Sequence, residues 1–309
     1  MLKDNFSITF ASVEIPDHLK TELSTSQFNL KPIKNENNFL TSIDSEDIVV
    51  LDGYDFKSNY QKKIKNKGCK LVAIDDLNAW HQLADVIINS AEGIDLEAYS
   101  AEPYTKFYLG FKYVLLRKEF FKKTGAQIKT DIKKIFINMG AADINNLTQK
   151  FANALLQINE VQEIHLMIGS LNPNRAIIEN LITENKQKKI VLHFNIQANE
   201  LISLLNKCDL SICPASNIAL ESCAVGIGLV SGFTAVNQIG TLTGMENYKT
   251  LLNLGDMNLA SEEEIVKKIR TLIENPQKLV EMVKHQNNLI DGKSPERLLR
   301  VFKELLVNA

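Results

Sequence analysis

Several kinds of feature are scarce in this 309-residue chain, and each scarcity removes a class of protein. Seven prolines and fourteen glycines are too few for a disordered or fibrous chain. The four cysteines, Cys69, Cys208, Cys213 and Cys223, form no C-x-x-C pair, and no histidine stands at metal-ligand spacing from any of them. Buried free thiols in a reducing compartment are therefore expected, and no metal site. The opening residues Met1–Phe6 carry no apolar h-region. No window approaches the ~20 apolar residues of a membrane span, so a cytoplasmic location is expected. Charge of neither sign prevails: 35 Lys and Arg face 37 Asp and Glu, a net −2. Nothing electrostatic points to nucleic acid or anionic lipid as a partner. The basic runs at 62–70 and 186–189 read as solvated faces. Also absent are a P-loop, a G-x-G-x-x-G and an H-E-x-x-H. His18, His81, His165, His193 and His285 are scattered, with no adjacent Ser or Cys motif that makes a triad.

What is present has the balance of a globular protein, 45% apolar and 23% charged, at a length suited to about two domains. Short apolar runs alternate with longer helical patterns, the signature of parallel sheets with helices on both faces. Strands are expected at Ser7–Val13, Asp47–Leu51, Lys70–Ile74 and Val86–Asn89, with helices at Asp17–Ser24 and Ser58–Lys67. The stretch 101–123 has no clean period and reads as a connection. A second series follows, with strands at Lys134–Asn138, Glu163–Ile168, Ile190–Phe194, Leu210–Cys213 and Gly228–Ser231. Helices are expected near 146–157 and 217–225, then at Glu262–Asn275, Pro276–Ile290 and Pro295–Val307. The expected architecture is α/β, two facing Rossmann-like doubly wound domains, the first spanning 1–125 and the second 126–309.

In open α/β sheets, ligands bind where strand ends lead into helices. That rule selects four loops. In the first, Asn138–Asp143, Gly140 lets a backbone approach a ligand and the next helix offers N–H groups to a phosphate, although a merely packed turn looks the same. The second is Cys213–Asn217, where Ser216 and Asn217 either cap the following helix or leave its N–H groups to a diphosphate. Glu221, one turn further, either accepts ribose hydroxyls or simply complements the helix dipole. The third loop, Ser231–Gln238, supplies the amides of Asn237 and Gln238. In the first domain, Asp52-Gly53-Tyr54 and Asp75-Asp76 end two strands. The adjacent aspartates suit turn capping better than metal ligation. Taken alone, these residues indicate a ligand-binding α/β protein.

The ordered set of segments Leu51–Asp55 (LDGYD), Leu71–Leu77 (LVAIDDL), Tyr108–Phe120 (YLGFKYVLLRKEF), Ile137–Asp143 (INMGAAD), Cys208–Gly226 (CDLSICPASNIALESCAVG) and Asn237-Gln238 adds to this reading. It resembles the UDP-sugar hydrolase family of pseudaminic acid biosynthesis, over roughly residues 47–256. The broader relatives are GT-B glycosyltransferases such as the one that builds lipid II. The resemblance implies a GT-B-like fold and a UDP-linked 2,4-diacetamido-2,4,6-trideoxyhexose as substrate. It also implies hydrolysis at the anomeric carbon without a metal or other cofactor. Gly140 and Ala141 would then lie near the diphosphate, Ser216 and Asn217 would hold phosphate, and Glu221 the ribose. Asn237 and Gln238 would face the sugar, and Tyr54 the reacting centre.

The chain departs from the family pattern in three places. Relatives open with a strand and a G-x-G-H loop whose His is the expected base, and this sequence has no G-x-G-H. An incomplete first domain is therefore expected. The usual Asp-His-Tyr is Asp52-Gly53-Tyr54 here, and the usual Gly-Gly is Ala215-Ser216. The alternatives to a hydrolase are a GT-B glycosyltransferase of surface polysaccharide synthesis and a non-catalytic sugar-nucleotide-binding relative. A monomer or weak dimer is expected.

Overall fold

The computed structural model describes residues 2–15, 20, 23–26, 28–122 and 128–307. The helix expected at 17–24 falls largely outside the described residues. The chain divides into two units. One comprises Met1–Asn89, Asp95–Leu109 and Ser294–Ala309; the other comprises Ser90–Ile94 and Gly110–Lys293. A single cut at 125/126 therefore differs from the observed division at three places, and hydrophobic burial explains two of them. Phe111, Val114 and Phe120 are buried in the core of the second unit. At the other end, Phe302 meets Phe6 edge-on at 6.1 Å within the first unit.

In the first unit, β1 (Thr9–Ser12) pairs in parallel with β2 (Asn29–Pro32), and helix α1 (Glu36–Leu40) follows, capped by Asn35. A separate parallel sheet has the order β3-β4-β5-β6, with β3 Ile48–Asp52, β4 Lys70–Ile74, β5 Val86–Asn89 and β6 Lys106–Leu109. Helix α2 (Ser58–Lys65) joins β3 to β4 by burying Tyr60, Gln61 and Ile64. The turn at Gly68 after it needs a positive φ of 85°, and a Cβ there would meet Ser45 Cβ at 2.9 Å. The segment 101–123 is a correction: rather than a plain connection, it contains β6, which pairs along β5. Its residues KFYL are exposed or half-buried at the sheet edge, so no strict alternation marks them.

The second unit contains a six-stranded parallel sheet of order β12-β11-β10-β7-β8-β9. In chain order it runs β7 (Lys134–Asn138), α3 (Leu147–Leu156), β8 (Glu163–Ile168), α4 (Arg175–Glu184), β9 (Lys189–Phe194), α5 (Ala198–Lys207), β10 (Leu210–Pro214), α6 (Asn217–Val225), β11 (Gly228–Phe233), α7 (Ile239–Asn247), β12 (Leu252–Asp256), α8 (Glu262–Ile273) and α9 (Pro276–Leu289). Helix α10 (Ser294–Val307) returns to the first unit. Ile135, Phe136 and Ile137 are completely buried, as expected of a central strand covered on both faces. Helix α6 stops at Gly226, whose φ of 81° lets its N–H reach Ser222 O and Cys223 O. All four cysteines are buried and free. Among the described residues, no helix is long and apolar enough to cross a membrane.

Two of the scattered histidines meet. Across β8 and β9, His165 Nδ1 lies 2.9 Å from His193 Nε2, and His165 Nε2 lies 3.2 Å from Glu163 Oε1. Lys189 Nζ reaches the same Glu163 oxygen at 2.7 Å. Desolvation holds both imidazoles below the ordinary histidine value. The unfolded chain binds protons near pH 6.5, where the native pair still refuses them, so stability rises with pH in that window. The unfolding free energy from urea titrations should therefore fall as pH drops below about 6.5. Replacing His193 with Gln should make that decline shallower; an unchanged slope would show that the pair does not titrate as argued.

Candidate functional site

The strand order of the second unit reverses between β7 and β10. Counted by appearance within that sheet, the order is 6-5-4-1-2-3, the doubly wound arrangement whose crevice opens at the carboxyl ends of the two strands flanking the reversal. The loops after those two strands carry Gly140 with Ala141 and Ser216 with Asn217. The loop after β11, the other neighbour of β10, carries Asn237 and Gln238. The structure thus sets these six residues at three adjacent strand ends, with Glu221 one turn into the helix after β10.

The loop after β7 is built by side chains that satisfy its backbone. Asn138 donates from Nδ2 to Met167 O at 2.8 Å and accepts from Gly140 N–H at 3.2 Å. Gly140 has φ of 87°, and a Cβ there would meet nothing within 4 Å, so its α-carbon faces open space. Gly169, after β8, lies so close that a Cβ on it would sit 2.6 Å from Ala141 O. The loop ends at Asp143 (φ 41°), whose carboxylate accepts from Leu147 N at 2.7 Å and Thr148 N at 3.0 Å. The N–H groups at the start of α3 that a phosphate would need are thus taken by the protein's own carboxylate.

The start of α6 is different. Ser216 is its N-cap residue with extended backbone, and its side chain makes no capping hydrogen bond. The first N–H groups of a helix have no partner within it, so those of Asn217 and Ile218 are left to face outward. Asn217 is exposed and Ser216 half-buried, whereas the rest of α6 is almost entirely covered. Beneath it, Ser211 Oγ and Ser222 Oγ lie 2.9 Å apart, and Ser231 Oγ donates to Cys213 O at 2.7 Å. These bonds fix strand and helix together. Burial pushes the Cys213 thiol up to about 12 and raises Cys223 as well, so neither is a nucleophile at neutral pH.

Glu221 lies one turn into α6 with its side chain only 8% exposed. Both of its oxygens are bound by Arg117: Nε to Oε1 at 2.8 Å and Nη2 to Oε2 at 2.9 Å. Arg117 also stacks on Phe120, its guanidinium carbon 5.1 Å from the ring centre. The expectation of a carboxylate awaiting a ribose did not include this partner. A signal for half of it exists in the sequence: Glu221 is the sole charge in the run Asn217–Val225, whereas Arg117 is followed by Lys118 and Glu119 and does not stand out. A lone charge in apolar surroundings calls for a partner of opposite sign.

In the loop after β11, Gln238 Oε1 accepts from Thr234 N at 2.8 Å, so its acceptor serves the loop itself and its amide NH2 remains to be presented. Asn258 ties this loop to its neighbours, donating to Thr234 O at 3.2 Å and accepting from Asn145 at 2.8 Å. Lys150 Nζ donates to the carbonyls of Met257, Asn258 and Ala260. Burial holds its ammonium below the ordinary lysine value.

Tyr54 belongs to the first unit, after β3. It is 54% exposed, and its hydroxyl donates to Asp76 Oδ2 at 3.1 Å. The Asp52 carboxyl is pushed up, mainly by burial and secondly by Asp76. Asp75 accepts from the N–H groups of Leu77 and Asn78, which is turn capping. Among the described residues no group of three His, Cys, Asp or Glu is placed to hold a metal ion.

No protein-family model matches the chain. A curated relative, an uncharacterized protein of Methanocaldococcus jannaschii, is 26% identical over 220 residues. The match covers 68% of this chain and 45% of that protein, so the chain spans under half the length of the curated relative it matches. The structure resembles Acinetobacter baumannii MurG with TM-score 0.65 and 13% identity, covering 98% of this chain and 92% of that one. It also resembles Anabaena HepE in complex with UDP, with TM-score 0.68 and 12% identity over 97% and 92% of the two chains. The protein has an α/β fold with parallel sheets that matches GT-B glycosyltransferase structures.

Gly140→Ala tests the open side of the first loop. The positive φ should cost about 1–2 kcal/mol of stability, read as a lowered denaturation midpoint, with the fold retained because no atom blocks the methyl. A loss of folding would show that the space beside Gly140 is filled.

Proposed function

We propose that the second unit binds the UDP moiety of a UDP-linked sugar at the carboxyl ends of β7, β10 and β11. The observation that carries this reading is the pairing of a strand-order reversal with an uncapped helix start. The α6 N–H groups and the helix dipole favour an anion there, while Asp143 already fills the equivalent position at α3. Gly140 and Ala141 then line the diphosphate from the β7 side, Ser216 and Asn217 hold phosphate, and Glu221 takes the ribose. Asn237 and Gln238 face the sugar. The UDP bound to HepE, which shares this fold, supports the ligand class.

The reaction we propose is hydrolysis of a UDP-linked 2,4-diacetamido-2,4,6-trideoxyhexose in a cytoplasmic nonulosonate pathway, by a monomer or weak dimer. Support for it is the set of segments from Leu51 to Gln238 that resemble such hydrolases. Water attacks the anomeric carbon, the C–O bond to the diphosphate breaks, and UDP leaves with its charge stabilised by the N–H donors of α6. Tyr54, its hydroxyl oriented by Asp76, is the proposed side chain at the reacting centre.

Isothermal titration with UDP, ADP and GDP, each with and without Mg²⁺, tests the binding reading. UDP should bind without Mg²⁺, and Glu221→Ala should weaken it by about tenfold or more. Absence of UDP binding would reject the nucleotide site. Release of UDP from the diacetamido substrate without any acceptor then tests hydrolysis, and Tyr54→Phe should slow it while leaving UDP affinity unchanged. Release that requires an acceptor would make the protein a transferase instead.

A further inference from the structure

Glu221 is offered to the ribose by the nucleotide reading, yet in the structure neither of its oxygens is free of a partner. Two outcomes are open to such a carboxylate. Either the ligand displaces Arg117, or Arg117 stays and the ligand uses what the fork leaves over. The accounting of lone pairs and the burial favour the second. An ionised carboxylate has about four acceptor sites, and the Arg117 fork takes two of them. Two remain, one on each oxygen and pointing away from each other, so one oxygen can accept a ribose hydroxyl while the fork stays closed. Displacement would instead exchange a charged partner for two neutral hydroxyls beside a carboxylate that is 8% exposed, an uncompensated burial of charge.

The surroundings keep Arg117 in place. Its guanidinium rests on Phe120, which is buried, and the segment that carries it is anchored in the same core by Phe111 and Val114. Glu92 secures the start of that segment by accepting from Phe111 N–H at 2.9 Å. Helical side chains tilt toward the helix N-terminus, so the Glu221 carboxylate lies over the first turn of α6, on the side of Ser216 and Asn217. A free glutamate would sample several rotamers there, and the fork selects one.

We propose that Arg117 is a positioning residue for the ribose: it holds the Glu221 carboxylate in the orientation that presents one remaining acceptor site to the 2′-hydroxyl. This rests on the nucleotide reading given above and adds to it a determinant of ribose over deoxyribose. Arg117 touches Glu221 and not the reacting atoms, so it acts on affinity and sugar selectivity rather than on chemistry.

The test is calorimetric titration of UDP and 2′-deoxy-UDP into the full chain and into Arg117→Gln and Arg117→Lys. The unaltered protein should prefer UDP by about tenfold, the worth of a hydrogen bond to a charged group. In Arg117→Gln that preference should collapse toward one, because UDP weakens while 2′-deoxy-UDP changes little. Arg117→Lys, which restores the charge without the fork, should recover part of the preference, and it carries the test should the Gln variant fail to fold. Equal weakening of both nucleotides with the preference intact would make Arg117 a purely structural residue and overturn the inference. UDP binding by the unaltered chain without preference over 2′-deoxy-UDP would overturn it too, leaving the nucleotide site standing. Failure of the unaltered chain to bind UDP would reject the site and the inference together.

Discussion

The arrangement of the second unit depends on one topological constraint, the reversal of strand order between β7 and β10. On either side of such a reversal the chain departs for opposite faces of the sheet, and the loops draw apart. The helix packing agrees: α3 packs with α4 and α8, whereas α6 packs with α5 and α9. What lies between the parted loops cannot be filled by a crossover helix, because none starts there. The residues beside the gap are small or polar, Gly140 and Ala141 on one side and Ser216 and Asn217 on the other. Part of the backbone around them is held locally, since Asn138 supports Gly140 and Ala215 N–H reaches Gly232 O at 2.8 Å, while the first N–H groups of α6 are not.

The two helix starts that flank the gap have been treated differently by the chain. At α3, Asp143 adopts a left-handed backbone to place its carboxylate under Leu147 and Thr148. Asn146 is left-handed too, so this short turn holds two residues in a region that aspartate and asparagine tolerate better than most. In return, the first two N–H groups of α3 are capped. At α6 the N-cap serine makes no such bond, and the positive end of the helix dipole is left for whatever occupies the gap. The asymmetry gives the crevice a polarity, with acceptance of an anion on the β10 side.

Much of this was legible from residues. Apolar runs marked β4, β5, β7 and β8 to the residue, and α6 was expected at 217–225, where it lies. The strand ends then selected Gly140, Ser216, Glu221 and Gln238 by position alone. What was missed lies mostly at edges. The strands β6 (KFYL) and β12 (LNLGD) border their sheets, are covered on one side only, and contain lysine, asparagine or glycine where a central strand would have valine. Helices α4 and α5 were missed although start signals precede both: Gly169 and Pro173 before α4, and the capping box of Gln197 with Glu200 at α5. The meeting of His165 with His193 could not be seen either. It depends on the parallel register that sets Met167 beside His193, and register is a property of the pair of strands.

The Arg117–Glu221 pair explains why the stretch after β6 is not a linker. Helix α6 is covered nearly all round, and its sequence NIALESCAV contains a single charge. Burying a carboxylate in that position is costly unless a cation reaches it in good geometry. No lysine or arginine of α6, β10 or β11 is available, since those elements contain none. The cation comes from Arg117, and for its fork to close, the segment 110–122 must dock on the second unit. Phe111, Val114 and Phe120 then bury their side chains in the same core. Removing the charge would remove the electrostatic reason for that docking but not the apolar one. The pair is therefore better understood as setting the orientation of the segment than as supplying its adhesion. This separates two roles that a buried salt bridge usually confounds: the aromatics hold the segment to the unit, and the fork decides which way its arginine, and the carboxylate it grips, will face.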